Sequence, residues 1–153
     1  PFPATQAASA DVNTLDEYEE GTWTPEFTFA TPGDLSVAYS LRSAYYTKIG
    51  RLVSISFALV TSTFTHTTAS GELLITGLPF AAVNDANYRA YAPIVYSGVT
   101  KAGYAQLSSA LVGNTSQFQV LASGSGVAVA NVTASDMPTG GTVVLGGSVN
   151  YVV

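Results

Sequence analysis

The chain has 153 residues and a formal net charge of −5, with only 10% charged residues, no cysteine and a single histidine. The lack of cysteine excludes a disulfide framework, thiolate or Fe–S metal sites and a cysteine nucleophile, and one histidine removes the usual multi-histidine metal sites. Five Lys plus Arg cannot supply a nucleic-acid footprint, and no apolar run approaches the ~18 residues of a membrane helix, so no nucleic acid, membrane insertion, metal or cofactor is expected.

In chain order, Pro1-Phe2-Pro3-Ala4-Thr5 is neither a natural start nor a signal sequence, and reads as cut from a longer polypeptide in the linker before its last domain. Residues 1–22 carry Asp11, Asp16, Glu17, Glu19 and Glu20 and no base. That composition buries little apolar surface, so an extended linker is predicted, with one helical turn over Asp16 to Glu20. Trp23 is expected to be buried, as the anchor where the following domain, residues 23–153, begins. Arg51 to Val60 puts Val53, Ile55, Phe57 and Leu59 on one face and Ser54, Ser56 and Ala58 on the other, the period of a half-buried strand.

Leu73 and Ile75 repeat the pattern before Gly77-Leu78-Pro79. Tyr88, Tyr91 and Tyr96 flank a further strand. Over Tyr104 to Leu111, Ala105, Leu107 and Leu111 are predicted inward, with Tyr104, Gln106 and Ser108 outward. Phe118 and Val120 alternate with Gln117 and Gln119, and Val143, Leu145, Val149 and Tyr151 make the last strand. Turn clusters separate these strands, among them Thr31-Pro32-Gly33-Asp34, Ile49-Gly50, Gly113-Asn114 and Ser123-Gly124-Ser125-Gly126. Strands near ten-residue spacing with this punctuation predict an all-β, antiparallel β-sandwich, jelly-roll-like, behind the extended N-terminal linker.

Three segments carry a family resemblance. Phe2-Pro3-Ala4-Thr5-Gln6, followed by Asn13-Thr14-Leu15-Asp16-Glu17-Tyr18-Glu19-Glu20-Gly21-Thr22-Trp23-Thr24-Pro25, resembles the junction that opens the C-terminal domain of tailed-bacteriophage tail fibres and tailspikes. Tyr46-Thr47-Lys48-Ile49-Gly50-Arg51-Leu52-Val53 and Ile75-Thr76-Gly77-Leu78-Pro79-Phe80 are similar to the next two hallmarks, in the same order. The resemblance covers about the first half of the chain. It implies a homotrimeric head domain at a fibre or tailspike tip, joined to an upstream fibre region, on the virion and outside cells. A host cell-surface glycan or outer-membrane receptor would be its partner.

Candidate sites follow from side-chain chemistry. The run Asp16-Glu17-Tyr18-Glu19-Glu20 lacks cation-loop spacing and reads as a solvated linker. Asp34, Glu72, Asp85 and Asp136 look like loop acids, and nothing pairs two of them as a glycoside hydrolase requires. His66, among threonines, has no Gly-x-Ser-x-Gly partner and reads as an exposed loop residue. Ser123-Gly124-Ser125-Gly126 lacks the lysine and helix of a phosphate loop. No enzyme is expected, although a small polysaccharide depolymerase remains an alternative, as does a purely structural trimerisation or virion decoration module. Sugars are held by aromatic faces with amides and hydroxyls beside them. Tyr88, Arg89, Tyr91, Tyr96, Tyr104, Gln106, Gln117 and Gln119 are therefore the candidate receptor or glycan-binding set. The same residues could instead fill a core or a subunit interface.

Overall fold

The computed structural model describes residues 17–153; the expectations for residues 1–16, including the first segment of the family-like junction, fall outside them. The elements are β1 (Tyr18–Thr22), β2 (Glu26–Thr31), β3 (Ser36–Ile49), β4 (Leu52–Thr65), β5 (Ser70–Thr76), β6 (Arg89–Ser97), β7 (Gln106–Val112), β8 (Gln117–Ser123), β9 (Ala130–Asn131), a 3₁₀ turn (Ala134–Asp136) and β10 (Val144–Val152). The strands join into one sheet in the order β1-β3-β4-β10-β6-β7-β8-β5-β2, with β9 beside β8. Neighbours pair antiparallel throughout the described residues. The fold is all-β, antiparallel and sandwich-like, as the alternation and turn spacing predict.

Chain connectivity forces this sheet to curl. β1 and β2 stand at opposite ends of the pairing order, yet only Trp23, Thr24 and Pro25 connect them. At roughly 3.5 Å per residue the two ends lie within ~14 Å, which a flat sheet of this width cannot satisfy. Side chains bridge the gap. The Phe27 N–H donates to Tyr39 Oη at 2.9 Å, their rings stack at 6.0 Å, and Arg42 pairs with Glu26 at 2.8 Å.

The curled inner face is the core. Val53, Ile55, Phe57 and Leu59 of β4 are buried in it beside Leu145, Val149 and Tyr151 of the neighbouring β10, with Leu73 and Ile75 of β5 and Phe118 and Val120 of β8. A buried side chain of this size contributes about 1.5–3 kcal/mol by leaving water. Trp23 is 8% exposed and meets Phe57 edge-on at 6.1 Å, so its indole is buried as expected. The β3–β4 hairpin turns on Gly50 and Arg51, with Gly50 at φ 55°, the positive value a II′ turn needs at its first central residue.

Several local expectations are corrected. The segment read as a helical turn is strand instead: Tyr18 lies opposite Ile49 and Thr22 opposite Tyr45, because β3 offers a ladder that an isolated acidic turn lacks. Its acids are also partnered, Glu17 with Lys48 at 2.8 Å and Glu19 with the Tyr46 hydroxyl at 2.6 Å. His66 is only 7% exposed rather than a surface residue, since β4 runs on through Thr65 and carries the imidazole against the Phe29 and Phe64 rings. Tyr104 precedes β7, which starts at Gln106, and Ala105 is exposed rather than inward. Glu72 sits within β5, not in a loop.

Candidate functional site

Strand parity sorts the eight candidate residues into two groups. On β6, Ala90, Ala92, Ile94 and Tyr96 face the core, so Arg89, Tyr91, Pro93 and Val95 face out. On β7, Leu107, Ser109 and Leu111 face in, leaving Gln106, Ser108 and Ala110 outward; on β8, Phe118, Val120 and Ala122 face in and Gln117 and Gln119 out. Arg89, Tyr91, Gln106, Gln117 and Gln119 therefore share one outer face across three neighbouring strands. The register places Tyr91 opposite Ala110 and Ala110 opposite Gln119, so Tyr91 and Gln119 stand roughly 9–10 Å apart with a methyl floor between them. Tyr91 is 61% exposed, and its ring is available to a ligand.

The other three tyrosines are structural. The Tyr88 hydroxyl accepts the Val152 N–H at 2.8 Å, fastening the end of β10. The Tyr96 hydroxyl donates to the Ala105 carbonyl at 3.2 Å, and the Tyr104 hydroxyl to the Ala128 carbonyl at 3.0 Å. All three pack against the core. Tyr96 and Tyr104 also line a cavity of about 160 Å³ with Val99, Thr100, Lys101 and Leu107. That is below the range of drug-sized ligand pockets. Lys101 there pairs with Asp136 at 2.8 Å and lies 5.7 Å from the Tyr104 ring centre. Burial works against ionisation of Asp136, but Lys101 and the Thr133 N–H and hydroxyl outweigh it and hold the carboxyl below its usual range.

The outer face gains two residues that alternation alone does not reveal. Glu72 and Leu74 on β5 face out beside β8, and Leu74 lies opposite Gln119. The Glu72 carboxylate accepts the Gln119 Nε2–H at 2.8 Å and an N–H of Asn131 Nδ2 from β9. One carboxylate thus ties β5, β8 and β9 together. Each amide commits one N–H to it and keeps its carbonyl oxygen as an acceptor. In the sequence Glu72 is an isolated acid and Asn131 lies 59 residues away; their meeting depends on the β8–β9 pairing.

The described parts of the three family-like segments meet at a different corner. Gly21 lies flat against the Tyr46 ring, where a Cβ would come within 2.9 Å of it. The Tyr46 ring in turn meets Phe80 edge-on at 5.4 Å, and Lys48 Nζ lies 5.8 Å from the Phe80 ring centre. Gly77, at φ 88°, passes so close to the Thr24 carbonyl that a Cβ would sit 2.2 Å from it. These residues build the corner where β1, β2, β3 and the end of β5 converge. They belong to the fold, and Gly77 follows directly on Thr76, which lies opposite Gln117.

The molecule is a curled antiparallel β-sheet with a sandwich-like core, bearing one amide-and-tyrosine face. No family model matches the chain, and no curated protein matches it. Among solved structures, the crystal structure of the Dettilon tailspike protein has a similar fold over 86% of this chain, with a TM-score of 0.63 and 20% sequence identity. The chain spans 23% of the length of that tailspike. At this identity the likeness is one of fold.

Proposed function

We propose that the chain is a head domain of a phage tail fibre or tailspike, C-terminal to an upstream fibre region, and that it forms a homotrimer on the virion and binds a host cell-surface glycan. The fold likeness to a tailspike supports the setting. The observation that carries the binding reading is the placement of Tyr91, Gln117 and Gln119 on one outer face beside the Glu72–Asn131 pair, with Gln106 on the same face roughly 13 Å further along β7. A tyrosine ring stacks on the C–H face of a pyranose, and a row of amides takes its hydroxyls. The reading is of binding rather than hydrolysis, because the acids are engaged in structure: Glu26 with Arg42, Asp34 with Thr67 and Thr68, Glu72 with two amides, and Asp136 with Lys101.

The test is binding of the chain to host cells and purified host surface polysaccharide. Tyr91→Ala combined with Gln117→Ala should lower binding at least ~tenfold with an unchanged β-type circular dichroism spectrum, the scale expected when a stacking ring and an amide are lost together. Gln117 is chosen because Gln119 also holds Glu72. Unchanged binding by the double variant would place the receptor surface elsewhere. A wild-type chain that adsorbs to no host surface would favour the structural trimerisation module, and release of reducing sugar would overturn the binding-only reading.

A further inference from the structure

We infer that the outer face of β3, β4 and β10, continued by Val95 of β6, is the surface through which copies of this chain pack around a shared symmetry axis; this rests on the trimer reading above and assigns the face that makes it. The outward positions are read from strand parity. They are occupied on β3 by Leu41, Ser43, Tyr45, Thr47 and Ile49, and on β4 by Leu52, Ser54, Ser56, Ala58 and Val60. On β10 they hold Val144, Gly146, Ser148, Asn150 and Val152. None of these positions carries an acid or a base. Arg42 and Lys48 of β3 have the opposite parity and are paired with Glu26 and Glu17.

Large apolar side chains stand exposed on this face. Leu41, Ile49 and Leu52 are exposed, Tyr45 is 59% exposed and Val95 is 76% exposed. Val95 lies opposite Gly146, and Gly146 opposite Ala58, so the middle of the face is a low shelf bounded by larger residues. Nine residues along β3, β4 and β10 give a plane of roughly 30 by 14 Å, about 400 Å² per copy, which Val95 of β6 extends at one edge.

Charge selects the occupant. The chain carries a net −5, so two copies meet most easily where neither presents an acid. A symmetry axis is more demanding still, because it sets each side chain near its own equivalents and repeats any charge placed there. The face of β3, β4 and β10 meets that condition up to its β1 border, where Glu20 stands opposite Thr47, whereas the β5 side of the sheet presents Glu72 within the face itself. A flat sheet face turned toward a three-fold axis touches both neighbours at once.

Light scattering on the full chain at micromolar concentration reads the outcome. Ser56 is exposed at the centre of this face, between Tyr45 and Ser148, so Ser56→Glu and Ser56→Lys leave the core untouched. Both signs of charge should convert a three-chain mass to a one-chain mass, while Thr28→Glu on β2 should retain the assembly. The cysteine-free background adds a second measurement that needs no disruption: Ser56→Cys should form disulfide-linked pairs on mild oxidation and Thr28→Cys should not. Trimers that persist with both Ser56 charges and fail to cross-link would overturn the assigned face while leaving the trimer reading intact. A wild-type monomer would overturn both.

Discussion

Replacing Trp23 by Ala tests how the domain is anchored. The indole is 8% exposed, packs edge-on against Phe57, and the residue's backbone N–H donates to the Ala44 carbonyl at 3.2 Å. A side chain of this size removes roughly 200 Å² of surface from water, worth ~5 kcal/mol at ~25 cal/mol per Å², an upper figure because unfolded chains are partly compact. Against this stands the indole Nε1, buried with no acceptor among the described residues, a penalty of about 1–3 kcal/mol that Ala relieves. The net loss is therefore ~2–4 kcal/mol, or roughly a 10 °C fall in Tm for a domain of this length. Trp23→Phe should lose much less, since it keeps a ring against Phe57 and removes the unpaired N–H. Urea unfolding followed by circular dichroism, at one fixed protein concentration, gives both numbers. A loss below ~1 kcal/mol for Trp23→Ala, or a larger loss for Phe than for Ala, would refute the packing account.

Three further outcomes follow from particular contacts. Asp34 accepts the Thr67 hydroxyl and the backbone N–H groups of Thr67 and Thr68, which hold its carboxyl far below the usual range. A depressed folded pKa stabilises at pH above the unfolded value and is lost as pH falls through the folded one, so Asp34→Ala should lower Tm at about pH 7 by an amount that shrinks below about pH 4, as read by thermal scans across pH. Burial pushes the Tyr151 hydroxyl up to about 12, so its stabilisation is complete below about pH 10 and declines as pH rises toward the folded value; Tyr151→Phe should show a shallower alkaline loss and cost about 1 kcal/mol near neutrality through the bond to the Phe80 carbonyl, measured by urea titration at both pH values. Gly77→Ala should destabilise by at least ~1–3 kcal/mol, because the residue combines φ 88° with the 2.2 Å approach to Thr24, and a neutral result in chemical denaturation would contradict that geometry.

Local alternation accounts for what could be read before any strand was paired. Val53 to Leu59 read as a strand because period two survives unbroken, and the Phe118, Val120 and Tyr151 strands read for the same reason; Trp23 stands out as the one tryptophan, between an acidic segment and a run of strands. β3 was harder to see. Its register shifts between Ala38 and Leu41, so Tyr39 faces in, Leu41 faces out and Ala44 faces in again, and the single period is lost. β1 was hidden for another reason: an acidic edge strand carries no apolar signal of its own. It is ordered by Tyr46 and Lys48, which lie 27 and 31 positions along the chain from the acids they hold.

Which tyrosines work inside and which outside was set by strand pairing. Tyr91 and Tyr96 are separated by an odd number of residue steps, which puts them on opposite faces, and the curl makes one of those faces the core. Parity alone could not say which face the sheet would close upon, nor that Glu72 and Asn131 would meet beside Gln119. Those facts depend on pairings between strands distant in sequence, and a single strand's residues do not encode its neighbour. The same holds for the uncharged face of β3, β4 and β10, whose meaning emerges only when three ordinary Ser- and Val-bearing strands are laid side by side.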